Sequence, residues 1–130
     1  MIKKIFLFLW QLPQNLLGLL IILSCRAKKK EGYWVVIKKL SFGVSLGTFI
    51  IFSNSIYISD KRINHEKGHQ KQSLYLGWLY LFVIGIPSIL GNIYDRLFHK
   101  YWSFKSKSYW YYNLPWEKWA DNLGGVNRNN

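Results

Sequence analysis

Two long uncharged runs flank one wholly polar stretch, and this alternation sets the first expectations for the chain. Residues 5–23 and 74–94, 19 and 21 positions long, carry no formal charge. As helices, both are long enough to cross a bilayer. Between them, residues 64–73 (Asn-His-Glu-Lys-Gly-His-Gln-Lys-Gln-Ser) contain no apolar side chain. A helix there has no greasy stripe with which to dock on a core, so some other interaction must hold it. The first run is interrupted by Gln11-Leu12-Pro13-Gln14-Asn15, which leaves one kinked span or a helical hairpin as its possible forms. It is too long and too broken for a secretory signal. The basic stretch Arg26-Ala27-Lys28-Lys29-Lys30 argues that the segment is retained, and residues 1–30 are expected to form a membrane anchor or helical hairpin with a basic flank.

Residues 33–58 change character. Tyr33-Trp34-Val35-Val36-Ile37 and Thr48-Phe49-Ile50-Ile51-Phe52 are β-branched and aromatic and too short for helices. Ser41, Gly43, Ser45 and Gly47 punctuate the link, so the two segments are expected to pair as a hairpin, with a short third strand at 55–59. Phe49–Ser53 is the expected sheet edge for an extended substrate. Ser59 or Asp60 can cap a helix over about 61–76. Basic and aromatic residues alternate over 96–112, a pattern expected for a loop in the headgroup layer. Leu114-Pro115 starts a last helix, with Asn113 a candidate cap. Gly124-Gly125 ends it, and 126–130 form a polar tail. The expected fold is α+β, a short β-hairpin or small sheet plus two site-bearing helices, with membrane-embedded or re-entrant helices. Residues 31–130 form the domain that follows the anchor.

Composition narrows the partners. Within 130 residues the chain has a net charge of +12, 24 aromatic residues and one cysteine. A basic, aromatic chain with long apolar runs suits an anionic membrane surface better than nucleic acid, for which no motif is visible. Cys25 excludes an internal disulfide.

The polar stretch carries the candidate chemistry. His65-Glu66-Lys67-Gly68-His69 is H-E-x-x-H, which places two imidazoles on one helical face and a glutamate beside them to take a proton from water. A catalytic zinc needs a third protein ligand. Glu117 in Trp116-Glu117-Lys118-Trp119-Ala120-Asp121 is the candidate, with Asp121 one turn later to hold the free ring nitrogen of a ligand histidine. A bland alternative is a solvated polar helix with idle histidines. His99, standing alone, is read as an interface residue. Tyr111 or Tyr112 could donate to an oxyanion, and Gly68 would allow close backbone approach. If the metal site exists, residues 74–94 cannot be a lone span, because His65 and Glu117 would then lie on opposite sides of the bilayer. Gly85-Ile86-Pro87 is the expected break that returns the chain.

These residues carry a resemblance. H-E-x-x-H with a downstream E-x-x-x-D resembles the gluzincin group of zinc metallopeptidases. More closely, His65-Glu66-Lys67-Gly68-His69-Gln70-Lys71-Gln72-Ser73, Gly85-Ile86-Pro87-Ser88 and Glu117-Lys118-Trp119-Ala120-Asp121 are similar to motifs of small bacterial membrane proteins, as is Trp10-Gln11-Leu12-Pro13-Gln14. Lys67 departs from the apolar or aromatic residue common at that position. The gluzincin likeness implies Zn²⁺ and hydrolysis of a peptide or membrane-protein segment. The expected protein is therefore a zinc metallopeptidase at a bacterial inner membrane, its site facing the cytoplasm. His65, His69 and Glu117 would hold the metal, with Glu66 as general base. The competing expectations are a non-catalytic membrane-associated assembly protein that keeps the same fold and, more distantly, a nucleic-acid-associated membrane protein.

Overall fold

The polar interruption of the first apolar run becomes a corner. In the computed structural model, which describes residues 1–128, helices α1 (Ile2–Trp10) and α2 (Leu12–Ser24) meet at Gln11 with a bend of 91°. Pro13 lies in the first turn of α2, where a missing N–H is harmless. The residues that suit a bilayer poorly turn inward, and Gln11, Gln14 and Asn15 are buried. Gln14 Nε2 donates to Ser73 Oγ and to the Gly77 carbonyl, both at 2.8 Å, and Ser73 Oγ donates to Gln11 Oε1 at 2.6 Å. The indoles of Trp10 and Trp78 donate to the Leu74 and Leu9 carbonyls at 2.8 and 2.9 Å. These bonds stitch the corner to the end of helix α3 (Asp60–Leu76).

The sheet forms, but with different pairing from that expected. Strands β1 (Lys28–Lys29), β2 (Trp34–Val36), β3 (Gly43–Leu46) and β4 (Phe49–Ser53) lie in the order β1-β2-β4-β3. β2 pairs parallel with β4, and the hairpin partner of β4 is β3, inside the Ser/Gly-rich link. Gly47, at φ 66°, makes that turn. Asn15 Oδ1 secures it by accepting from the Thr48 N–H at 2.8 Å and the Thr48 hydroxyl at 3.0 Å. The physical reason is burial. Ile50, Ile51 and Phe52 are at most 1% exposed, so β4 takes the middle of the sheet with both edges paired. Phe49–Ser53 is therefore an interior strand, and β3 and β1 are the sheet edges. Residues 55–59 add no strand. Ile22 of α2 packs with Val36 and Ile51, and α3 lies against β3 and β4.

Helix α3 starts where capping rules place it. Ser59 Oγ accepts from the Arg62 N–H, and Asp60 lies in the first turn. Its buried positions are His65, Glu66, Gly68, His69, Gln72 and Ser73, so it docks through its polar face. Helix α6 (Pro115–Gly124) meets it with Glu117, Ala120 and Asp121. Two glycines permit the contact. A Cβ on Gly68 would overlap the Ala120 carbonyl, and one on Gly124 would overlap the Asn64 carbonyl.

The second apolar run breaks at Gly77 (φ 55°), not at Gly85-Ile86-Pro87. A π turn over Leu81–Gly85 leads straight into α4 (Ile86–Phe98), absorbing the donor that Pro87 lacks, so the helix continues. The chain reverses only after Phe98, and α5 (Phe104–Tyr112) returns along α4, with Tyr94 stacked on Trp110 at 5.4 Å. Residues 96–112 are thus the end of α4 and a further helix, joined by a short turn, not a loop. His99 is buried among Trp102 and Trp110 with Nδ1 2.9 Å from Asp95, away from the histidines of α3. Leu114, not Asn113, is the N-cap of α6. Residues 129 and 130 of the expected tail lie outside the described residues.

Gly68→Ala and Gly124→Ala are expected to destabilise the protein by about 3 kcal/mol or more, since the added carbon meets backbone that cannot rotate away. Lys67→Ala, on the exposed face of α3, should leave the melting temperature nearly unchanged. Thermal unfolding of the three variants beside wild type checks this.

Candidate metal centre

The α3–α6 contact brings three donor atoms to one point. His65 Nε2 and His69 Nε2 lie 3.1 Å apart, and each is 3.1 and 3.0 Å respectively from Glu117 Oε2. His65, His69 and Glu117 are all buried, at 4%, 5% and 0% exposure. This group could bind a metal ion.

The surrounding hydrogen bonds decide which atoms face inward. Gln72 donates through Nε2 to the Trp116 carbonyl at 2.8 Å, so its Oε1 must accept from His69 Nδ1–H at 2.6 Å. Asp121 Oδ1 accepts from His65 Nδ1–H at 2.7 Å. With both Nδ1 atoms protonated, each neutral imidazole presents a bare Nε2 lone pair to the shared point. Glu117 is oriented in the same way. Its Oε1 accepts from Ser88 at 2.5 Å and from the Tyr111 hydroxyl at 3.0 Å, leaving Oε2 for the centre. Three lone pairs converging in a buried space repel one another unless a cation joins them. The spacing suits one, since a tetrahedral ion with bonds of about 2.0–2.1 Å separates its ligand atoms by about 3.3 Å.

In the protein without metal, a proton has to serve. Burial opposes charge on His65, but the hydrogen bonds with Asp121 and Glu117 and the charges of Glu66 and Glu117 outweigh it, raising the His65 pKa to about 9. Burial likewise opposes charge on Glu117, yet the hydrogen bonds from His65 and His69 hold it well below the usual carboxylate range. Asp121 is lowered despite its burial by His65 and by Arg128, whose guanidinium bonds both of its oxygens and lies 3.4 Å above the Tyr112 ring. Glu66 differs from these. Burial raises its pKa, and its Oε2 is buried with no hydrogen-bond partner among the described residues.

The structure therefore gathers His65, Glu66, His69, Glu117 and Asp121, all separated in sequence into two segments. Tyr111 reaches Glu117, and its hydroxyl is engaged there. Tyr112 packs its ring edge-on to His65 at 5.0 Å. Gln72, Ser88 and Arg128 were missed by sequence reasoning. Gln72 follows His69 by three residues on α3, a helical spacing that signals their contact, whereas only the fold brings Ser88 to Glu117.

His65 titrates at about 9 in the folded protein against 6.5 ordinarily. Its contribution to the metal-free protein is complete below pH 6.5 and is lost as pH rises to 9, by up to about 3 kcal/mol at about 1.4 kcal/mol per unit. A divalent metal competes with that proton, so its stabilisation should grow over the same window. Melting temperatures at pH 6, 7.5 and 9, in EDTA and with excess zinc, should diverge upward with pH. Gln72→Ala and Ser88→Ala should weaken metal binding by about 10–100-fold each, as measured by competition with a chromophoric chelator.

No protein-family model, curated protein or solved structure matches the chain.

Proposed function

We propose that the chain is a membrane-associated zinc metallopeptidase that hydrolyses peptide bonds, with a zincin-like arrangement of sheet edge, H-E-x-x-H helix and glutamate helix. The observation that carries this is the unpartnered, buried Glu66 carboxylate next to the convergence of His65, His69 and Glu117. Two imidazoles and one carboxylate form a donor set suited to zinc with a fourth position open to water or substrate. When bound, the ion supplies Lewis-acid polarisation of a carbonyl and makes water acidic near neutral pH.

The protein's own residues do the rest. Glu66 Oε2 lacks any partner that would compete for a proton, so it can accept one from the attacking water and pass it to the departing amine. Asp121 and Gln72 keep the two imidazoles in one tautomer, and Ser88 and Tyr111 hold Glu117. β3 runs beside Glu66, since a Cβ at Gly43 would lie 3.4 Å from Glu66 Oε1. An extended peptide added to that edge would pass the general base, although Tyr80 already bonds the Ser45 carbonyl at 3.0 Å.

A membrane setting is supported by the outer face of the apolar helices. Leu81–Phe98 is long and apolar enough to cross a membrane, with mean hydropathy 1.3 and 11% of its residues buried. Phe82, Ile86, Ile89, Leu90, Ile93 and Leu97 are exposed along it, an apolar face of the kind that marks a membrane or protein contact. The inner face of the same helix carries Ser88 to Glu117. The surrounding basic charge suits anionic lipids, and we place the site on the cytoplasmic face of a bacterial inner membrane.

Detergent-purified protein is expected to carry about one zinc per chain, lost in His65→Ala and Glu117→Ala. Glu66→Gln should keep the zinc and lose cleavage of a peptide mixture, followed by mass spectrometry, by about 10²–10⁴-fold. Wild-type protein that binds no zinc when supplied with it would overturn the proposal.

A further inference from the structure

A cleft of about 1090 Å³ opens between the start of α3, α5 and the end of α6, and its wall includes Asp121, which bonds the ligand-set residue His65. That wall carries Lys61, Arg62, Lys105, Lys118 and Arg128 against Asp121 as the one carboxylate. The balance is more one-sided than this count suggests. Asp121 is already engaged by His65 and by both donors of Arg128, and Arg128 is engaged in return.

Arg62 has no such tie. It is half-buried, and its guanidinium makes no ion pair among the described residues. It stands one turn before Glu66 and three residues before His65, on the face of α3 that carries the site. Its charge reaches both Glu66 and Tyr112. A half-buried guanidinium without a partner, at the wall of a concave basic cleft, fits a ligand with a planar anionic group. Arginine forms paired hydrogen bonds with carboxylates, whereas the exposed lysines around it act as screened point charges.

We propose that this cleft receives a carboxylate of the substrate, an acidic side chain or a chain terminus near the bond to be cleaved, and that Arg62 selects it. The proposal rests on the peptidase reading above. A lipid phosphate offers related chemistry, but residues 86–98 of α4, whose outer face is the apolar one, contribute nothing to the cleft wall. A peptide lying in the cleft between the start of α3, α5 and the end of α6 reaches the basic wall without involving that face.

The test uses zinc-loaded Glu66→Gln protein in detergent, so that bound peptides are not consumed. The probes are fluorescein-labelled ten-residue peptides with Glu or Gln scanned through each position, each made with a free and an amidated C-terminus, and binding is followed by fluorescence anisotropy. Peptides with Glu, or with a free terminus, at the favoured position should bind about tenfold more tightly than their neutral counterparts, and Arg62→Gln should reduce this to about threefold or less. Zinc per chain should be unchanged by Arg62→Gln, and Arg62→Lys should retain part of the preference. Equal binding of acidic and neutral peptides, no binding of any peptide, or a preference indifferent to Arg62→Gln overturns the proposal. So does an Arg62-dependent affinity for phosphatidylglycerol vesicles without peptide discrimination, which would make the cleft a headgroup site. The peptidase reading fails separately if wild-type protein cleaves none of the peptides that the Glu66→Gln variant binds.

Discussion

Three buried, electron-rich atoms held within 3.1 Å of one another need a positive charge between them. That requirement organises the protein. Asp121 and Gln72 turn both imidazoles so that their lone pairs face the same point, and Ser88 with Tyr111 does the same for Glu117. A proton on His65 satisfies the arrangement in part, and a metal ion satisfies it with all three donors at once. The donors are thus turned toward one point before any ligand enters, and the group could bind a metal ion there.

The constraint explains how a helix with no apolar stripe is retained in the fold. α3 is held by the buried polar groups it presents to α6 and by the corner of α1 and α2, where Gln11, Gln14 and Ser73 share hydrogen bonds. Close approach is the condition for all of these contacts, and Gly68 and Gly124 supply it by leaving room for the opposing carbonyls. A side chain at either position would separate α3 from α6, and the donor triangle would open with them.

The same contact reconciles a long apolar helix with one site built from residues on both sides of it in sequence. His65 and Glu117 flank residues 74–98 in sequence, yet Glu117 meets both His65 and Ser88 of α4, because α5 runs back along α4 and delivers α6 to α3. Ser88 and Gly91 face that junction, and Ile89, Leu90 and Ile93 face outward. One helix therefore serves as wall of the site on one side and as an apolar surface on the other.

The local grouping of the candidate residues was legible in the sequence, because helical spacing alone puts His65, Glu66 and His69 on one face and Glu117 with Asp121 on another. Capping by Ser59 was legible for the same reason, being a property of a single turn, whereas the close approach at Gly68 is made to the Ala120 carbonyl of another helix. Pairing was not legible. β4 chose β3 and β2 as neighbours through burial of Ile50, Ile51 and Phe52, which no pattern of alternation specifies. The break at Gly77 instead of Pro87 was also decided in three dimensions, by the Trp10 indole seated against Gly77 and by a π turn that spares Pro87. Ser88 shows the limit most clearly: it is an ordinary polar residue in sequence, and only the tertiary structure brings it to the Glu117 oxygen it bonds, leaving the other oxygen for the centre.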